Sequence, residues 1–157
     1  MLGNYLQMLG ESLEKKLDIL TAIEEKSLEQ SALIKDEASY EAIDKNMDDK
    51  VELISKLTVL DEGFESLYEK IKKTLEADKD NYKPQIKELQ QLIAQVTEKS
   101  ASIQAIEARN KKAMETRFSA ERKRLSDKRM ISNVSYDYYK TSSKLQAVGP
   151  QFLDKKN

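Results

Sequence analysis

Apolar residues recur along this chain in steps of three and four. The clearest run lies at Ile43, Met47, Val51, Ile54, Leu57, Leu60, Phe64, Leu67, Ile71 and Leu75. That spacing puts them on one stripe of a single long helix, predicted over residues 40–77. The stripe cannot stay in water, because burying each Leu- or Ile-sized side chain is worth roughly 1.5–3 kcal/mol. It needs partner helices, and the rest of the chain supplies them around it.

A first helix is predicted over residues 4–36, opened by a capping box of Asn4 and Gln7. It carries Leu6, Leu9, Leu13, Leu17, Leu20 and Ile23, with Leu28 and Ile34 less regularly placed. Residues 35–42 break the stripe, and Ser39 is a good N-cap for the second helix. With no Gly or Pro there, a tight turn is expected, a kinked continuous helix being the rival. Gly63 inside the second helix is unfavourable by about 1 kcal/mol against alanine, and close helix contact beside Phe64 would explain it. Residues 77–84 read as a polar turn, with Pro84 suited to the first turn of a third helix.

The third stripe is Ile86, Leu89, Ile93, Val96, Ile103 and Ile106. Beyond it the inward positions become Asn110, Met114, Arg117 or Phe118, Glu121 and Leu125, so the helix should reach about residue 129 with a thinning apolar face. Residues 130–157 read as a weak helix and a loose tail. Short connections make successive helices antiparallel. Counting back from the second turn sets a residue near Phe118 level with Ile43, so everything past about Ser119 overhangs the first turn. The expected fold is all-α: three long antiparallel helices in a coiled-coil-like bundle, the third overhanging, with a weakly ordered C-terminal tail. Residues 1–129 form the bundle, and residues 130–157 form a short helix or flexible partner-binding tail.

Composition supports long helices: 35% of the 157 residues are charged, with Gly 4 and Pro 2. There is no run of 18 apolar residues and no signal-like N-terminus, so no membrane span is expected and the chain should be cytoplasmic. Without Cys or His there is no thiol nucleophile, no His-containing triad and no zinc set, and no cofactor is called for. Asp61, Glu65 and Glu69 form an acid row, but a solvated helix face balanced by Lys56, Lys70, Lys72 and Lys73 explains it better than acid–base work. The chain does not read as an enzyme. Residues 1–38 hold 4 basic and 8 acidic groups, residues 39–82 hold 7 and 12, and residues 83–157 hold 16 and 8. An acidic front half and a basic back half attract when folded together, with Asp36, Glu37, Glu41 and Asp44 expected near Arg117, Arg122 and Lys123. The basic stretch 109–129 lacks interleaved aromatics, which argues against nucleic acid. Met114, Phe118, Leu125, Met130 and Ile131 offer an apolar strip past the core, suited to taking a partner helix in a groove. Tyr136, Tyr138 and Tyr139 suit either an interface or packing onto the bundle.

The segments LISKLTVLDEGFESLYEKI (53–71), EKSASIQAIEARNKKAM (98–114), YDYYK (136–140) and PQFLDKKN (150–157) resemble the FlgN group of flagellar export chaperones. The resemblance implies a cytoplasmic chaperone for hook-associated proteins, which it delivers to the flagellar type III export gate. It implies cargo binding in the C-terminal helical region, matching Met114, Phe118, Leu125, Met130 and Ile131. It also implies a tyrosine that docks on the gate, for which Tyr136, Tyr138 and Tyr139 are the candidates. The rival reading is a structural coiled-coil adaptor that uses the same residues to self-associate, as a homodimer or longer assembly.

Overall fold

The computed structural model describes residues 1–124, as α1 (Leu2–Lys35), α2 (Tyr40–Ala77), a 3-10 turn (Lys79–Tyr82) and α3 (Lys83–Arg124). The all-α, three-helix bundle expected from the pattern is what forms. Contacts fix its register. Lys16 meets Asp61 and Lys26 meets Asp49, so α2 runs antiparallel to α1. Glu24 meets Lys99 and Ser31 meets Asn110, a near-constant offset that sets α3 parallel to α1. Lys50 meets Glu107 and Tyr40 meets Phe118, closing the antiparallel α2–α3 side. The backbone of α1 lies close against both other helices, while α2 and α3 stay farther apart. The central element is therefore α1 and not α2, as the apolar pattern had suggested.

Each helix buries residues in steps that alternate four and three. In α1 the set is Leu2, Leu6, Leu9, Leu13, Lys16, Leu20, Ile23, Ser27, Gln30 and Ile34. In α2 it runs through Ile43, Met47, Lys50, Ile54, Leu57, Phe64, Tyr68, Ile71 and Leu75, with half-buried Asp61 filling the one gap. In α3 it runs through Leu89, Ile93, Val96, Ser100, Ile103, Glu107, Asn110 and Met114. This is a heptad repeat of the kind that packs knobs into holes and drives a left-handed supercoil. It corrects the apolar stripe at three places. Lys50 is 0% exposed where Val51 is 36% exposed, Asp61 stands at the core position next to Leu60, and Tyr68 displaces Leu67. Keeping the repeat unbroken aligns every layer of α2 with α1, and that outweighs the desolvation of one lysine and one aspartate.

The turns follow local chemistry. Glu37 adopts φ 55, its N–H reaches the Ile34 carbonyl and the Ala38 N–H reaches Leu33, so α1 ends in a Schellman-type turn. Ser39 then caps α2, its Oγ accepting from the Ala42 N–H at 3.1 Å. The tight turn is confirmed and the kinked helix is not formed. At the N-terminus the Asn4–Gln7 box does not form: helix begins at Leu2, with Met1 as its cap, because Leu2 belongs to the core. Gly63 is another correction, since a Cβ there would meet nothing within 4 Å. It faces solvent rather than a neighbouring helix.

Candidate functional site

The end of the bundle that holds the α1–α2 turn is where the strip of apolar residues was expected. Tyr40, the first residue of α2, stacks on Phe118 with ring centroids 5.7 Å apart and an interplanar angle of 20°. The Arg117 guanidinium lies 4.3 Å from the Tyr40 ring centroid, and its Nε donates to Glu121 at 3.4 Å. Burial first, then the Glu121 carboxylate, push the Tyr40 hydroxyl above its usual range, while Arg117 pulls it back. The acidic turn and Arg117 do share one end of the molecule, as expected. The positive charge of Arg117, however, is met by an aromatic face and by a carboxylate of its own helix.

Phe118 is thus half-buried, one turn from where the sequence register set it. Met114 is 0% exposed and belongs to the core. This corrects its placement on an open strip: it completes the layer of Ile34 and Ile43, so the fold needs it inside. Past Phe118, the residues Ser119, Ala120, Arg122, Lys123 and Arg124 are exposed, in keeping with a third helix that passes the α1–α2 turn. The other expected cargo residues, Leu125, Met130 and Ile131, and the tyrosines Tyr136, Tyr138 and Tyr139, lie outside the described residues.

Directly beneath that end lies what the apolar pattern missed. Lys50 Nζ sits between both carboxylate oxygens of Glu107, at 3.1 Å each, and donates to Gln30 Oε1. Asn110 Nδ2 donates to the Ser27 carbonyl at 2.9 Å and to Gln30 Oε1 at 3.3 Å, while Ser31 Oγ donates to Asn110 Oδ1 at 2.6 Å. Asn46 Nδ2 reaches the Lys26 carbonyl at 3.0 Å and Glu29 at 2.8 Å. Two successive layers of the core therefore carry buried polar groups. Burial pulls the Lys50 ammonium down to about 8, against the pull of Glu107, and pushes the Glu107 carboxyl up against Lys50. Each charge is held by its partner, yet both would be better solvated in water. A legible signal existed: Gln30, Lys50, Glu107 and Asn110 each fall in the three-and-four phase of their helices, a phase visible only if polar residues are counted.

A second pair, Lys16 to Asp61 at 2.7 Å, sits lower down with Asp61 at the rim. Burial lowers Lys16 and raises Asp61. The acid row is thus not simply a solvated face, because its first member crosses to α1. Lys99 and Ser102 both donate to Glu24, at 2.9 and 2.8 Å, and pin α3 to α1 from outside. No described helix is long and apolar enough to cross a membrane.

A model of the FlgN protein family matches residues 1–126. No curated protein and no solved structure matched the chain.

Proposed function

Because the chain belongs to the FlgN family, whose members are flagellar export chaperones, we propose that it keeps hook-associated proteins soluble in the cytoplasm and hands them to the flagellar type III export gate. The family match carries the reading. The structure supports it with a three-helix bundle whose third helix continues past the turn with an aromatic, Phe118, at the point of departure. A chaperone of this design binds an amphipathic terminal segment of its cargo along an apolar strip, helix against groove. The strip begins at Phe118 and runs on through Leu125, Met130 and Ile131. Met114 anchors α3 beneath it. Tyr136, Tyr138 and Tyr139 are the gate-docking candidates.

The test is calorimetry of the full chain with the terminal segment of a hook-associated protein. The wild type binds, and the segment gains helix as it does so. Phe118→Asp with Leu125→Asp abolishes binding, because each places an uncompensated charge against an apolar partner. Replacing the three tyrosines by alanine spares cargo binding and weakens capture of the export gate in a pull-down. Wild-type affinity in the double aspartate variant would sink the strip. Failure to bind any hook-associated protein, together with mass that rises with concentration, would instead favour a self-associating adaptor.

A further inference from the structure

The core of this bundle changes character along its length, and the change falls next to the residues proposed for cargo. From Leu2 up to Ile23 the layers are mostly apolar, with Leu9, Leu13 and Leu20 of α1 packed with Leu57, Phe64 and Tyr68 of α2 and Leu89, Ile93 and Val96 of α3. Buried Lys16, with its partner Asp61 at the rim, and buried Ser100 of α3 interrupt them. Above the layer of Ile23, Ile54 and Ile103 come a polar layer of Ser27, Lys50 and Glu107, then a mixed layer of Gln30, Met47 and Asn110. Among the described residues, the layer of Ile34, Ile43 and Met114 and the Tyr40–Phe118 stack close the bundle above them.

We propose that the upper part of α3, from Glu107 to the end of the described helix, swings out from α1 and α2 as a unit in the free protein, uncovering Ile34, Ile43 and Met47 as the surface on which the amphipathic cargo helix seats. The docking half of this statement rests on the chaperone reading above; the opening half does not. Opening an apolar layer returns hydrocarbon to water and loses stability in proportion to the area re-exposed. Opening a polar layer exchanges internal hydrogen bonds for water at a small net change, and here it also rehydrates two buried charges. The bonds that tie this part of α3 down, Lys50 to Glu107 and Asn110 to the Ser27 carbonyl, Gln30 and Ser31, are all of the kind water replaces. The α2–α3 side is the weak seam, because there the backbones stay apart and side chains bridge the gap. Once α3 moves, Met114 and Phe118 present the apolar strip that their sequence spacing suggested and that the closed bundle hides. An incoming helix with apolar residues at three-and-four spacing completes the Ile34–Ile43–Met47 layers in its place.

Amide hydrogen exchange on the full chain without cargo tests the opening. Amides of residues 107–118 should exchange at least about tenfold faster than those of residues 89–96, because local opening exposes the first group alone. Lys50→Met with Glu107→Leu replaces a polar layer by an apolar one and should slow exchange in residues 107–118 by a factor of roughly ten or more. The same variant should bind the cargo segment more weakly by the factor by which opening is suppressed, since affinity scales with the competent fraction. Equal protection along α3 in the wild type overturns the opening. A variant with slowed exchange and undiminished cargo affinity overturns the docking surface. If the wild type takes no cargo segment, the docking half falls with the chaperone reading, while the exchange gradient alone still decides the opening.

Discussion

Lys50 carries the main lesson at the scale of the residue. Its ammonium is 0% exposed and sits against Glu107, so either partner alone would be a buried charge without compensation. Lys50→Met should therefore destabilise the protein by about 3–5 kcal/mol, whereas adding Glu107→Leu should bring stability back to the wild-type value or above it. Urea unfolding of the two variants measures both. Two glycine-related sites point the other way. Glu37 holds a left-handed φ of 55, which suits glycine, and Gly63 lies open on a helix. Glu37→Gly and Gly63→Ala should each raise stability by up to about 1 kcal/mol, additively since the sites are remote. A loss at Gly63→Ala in thermal melting would mean that something does pack there.

The elements differ in how much of the core each one carries. Packed against both neighbours, α1 contributes Leu9, Leu20 and Ile23, all 0% exposed. Leu20→Ala and Ile93→Ala should cost about 2–5 kcal/mol each, the range for a buried cavity. Leu60, taken from the apolar stripe as core, is only half-buried because Asp61 holds the core position. Leu60→Ala should accordingly cost about 1 kcal/mol, and Val59→Ala, at 67% exposure, should stay within about 0.5 kcal/mol of wild type. Chemical denaturation that found Leu60 equal to Leu20 would contradict the heptad phase of α2.

For the whole molecule, ionisation shapes stability at both ends of the pH scale. Lys50 moves from 10.5 in the unfolded chain to about 8 in the fold, so between these values the unfolded state holds more protons. Stability from this group therefore rises with pH across that window, and buried Lys16 adds in the same direction. Lys26 is raised by Asp49, so its contribution is present below 10.5 and lost as pH climbs through its folded value. On the acid side, Lys99 and Ser102 lower Glu24, Asn46 lowers Glu29, and Lys45 and Lys26 lower Asp49. Their contributions vanish as pH falls below the ordinary carboxylate values. Burial raises Glu107 and Asp61, which gives those two the opposite slope just above that range. The urea midpoint should thus increase from pH 7.5 to 9.5, and the Lys50→Met, Glu107→Leu variant should show a flatter rise.

Taken alone, the sequence determined that there are three long helices, where they turn and in which direction each runs. Those features follow from local rules: three-and-four apolar spacing, Ser39 as a cap, Pro84 as a helix opener, and connections too short for anything but reversal. It also carried the family, through segments that span most of the chain. The tertiary structure alone decided which face of α2 points inward at Lys50, Asp61 and Tyr68, and that α1 is the central helix. A lone lysine among apolar neighbours reads as surface, since its desolvation is prohibitive by itself. Glu107 and Gln30, which make that burial affordable, lie 57 and 20 residues away and become neighbours only when the three helices align. The fate of Met114 was decided in the same way: its spacing marks it as apolar and inward on α3, but only the meeting of Ile34 and Ile43 around it makes it core.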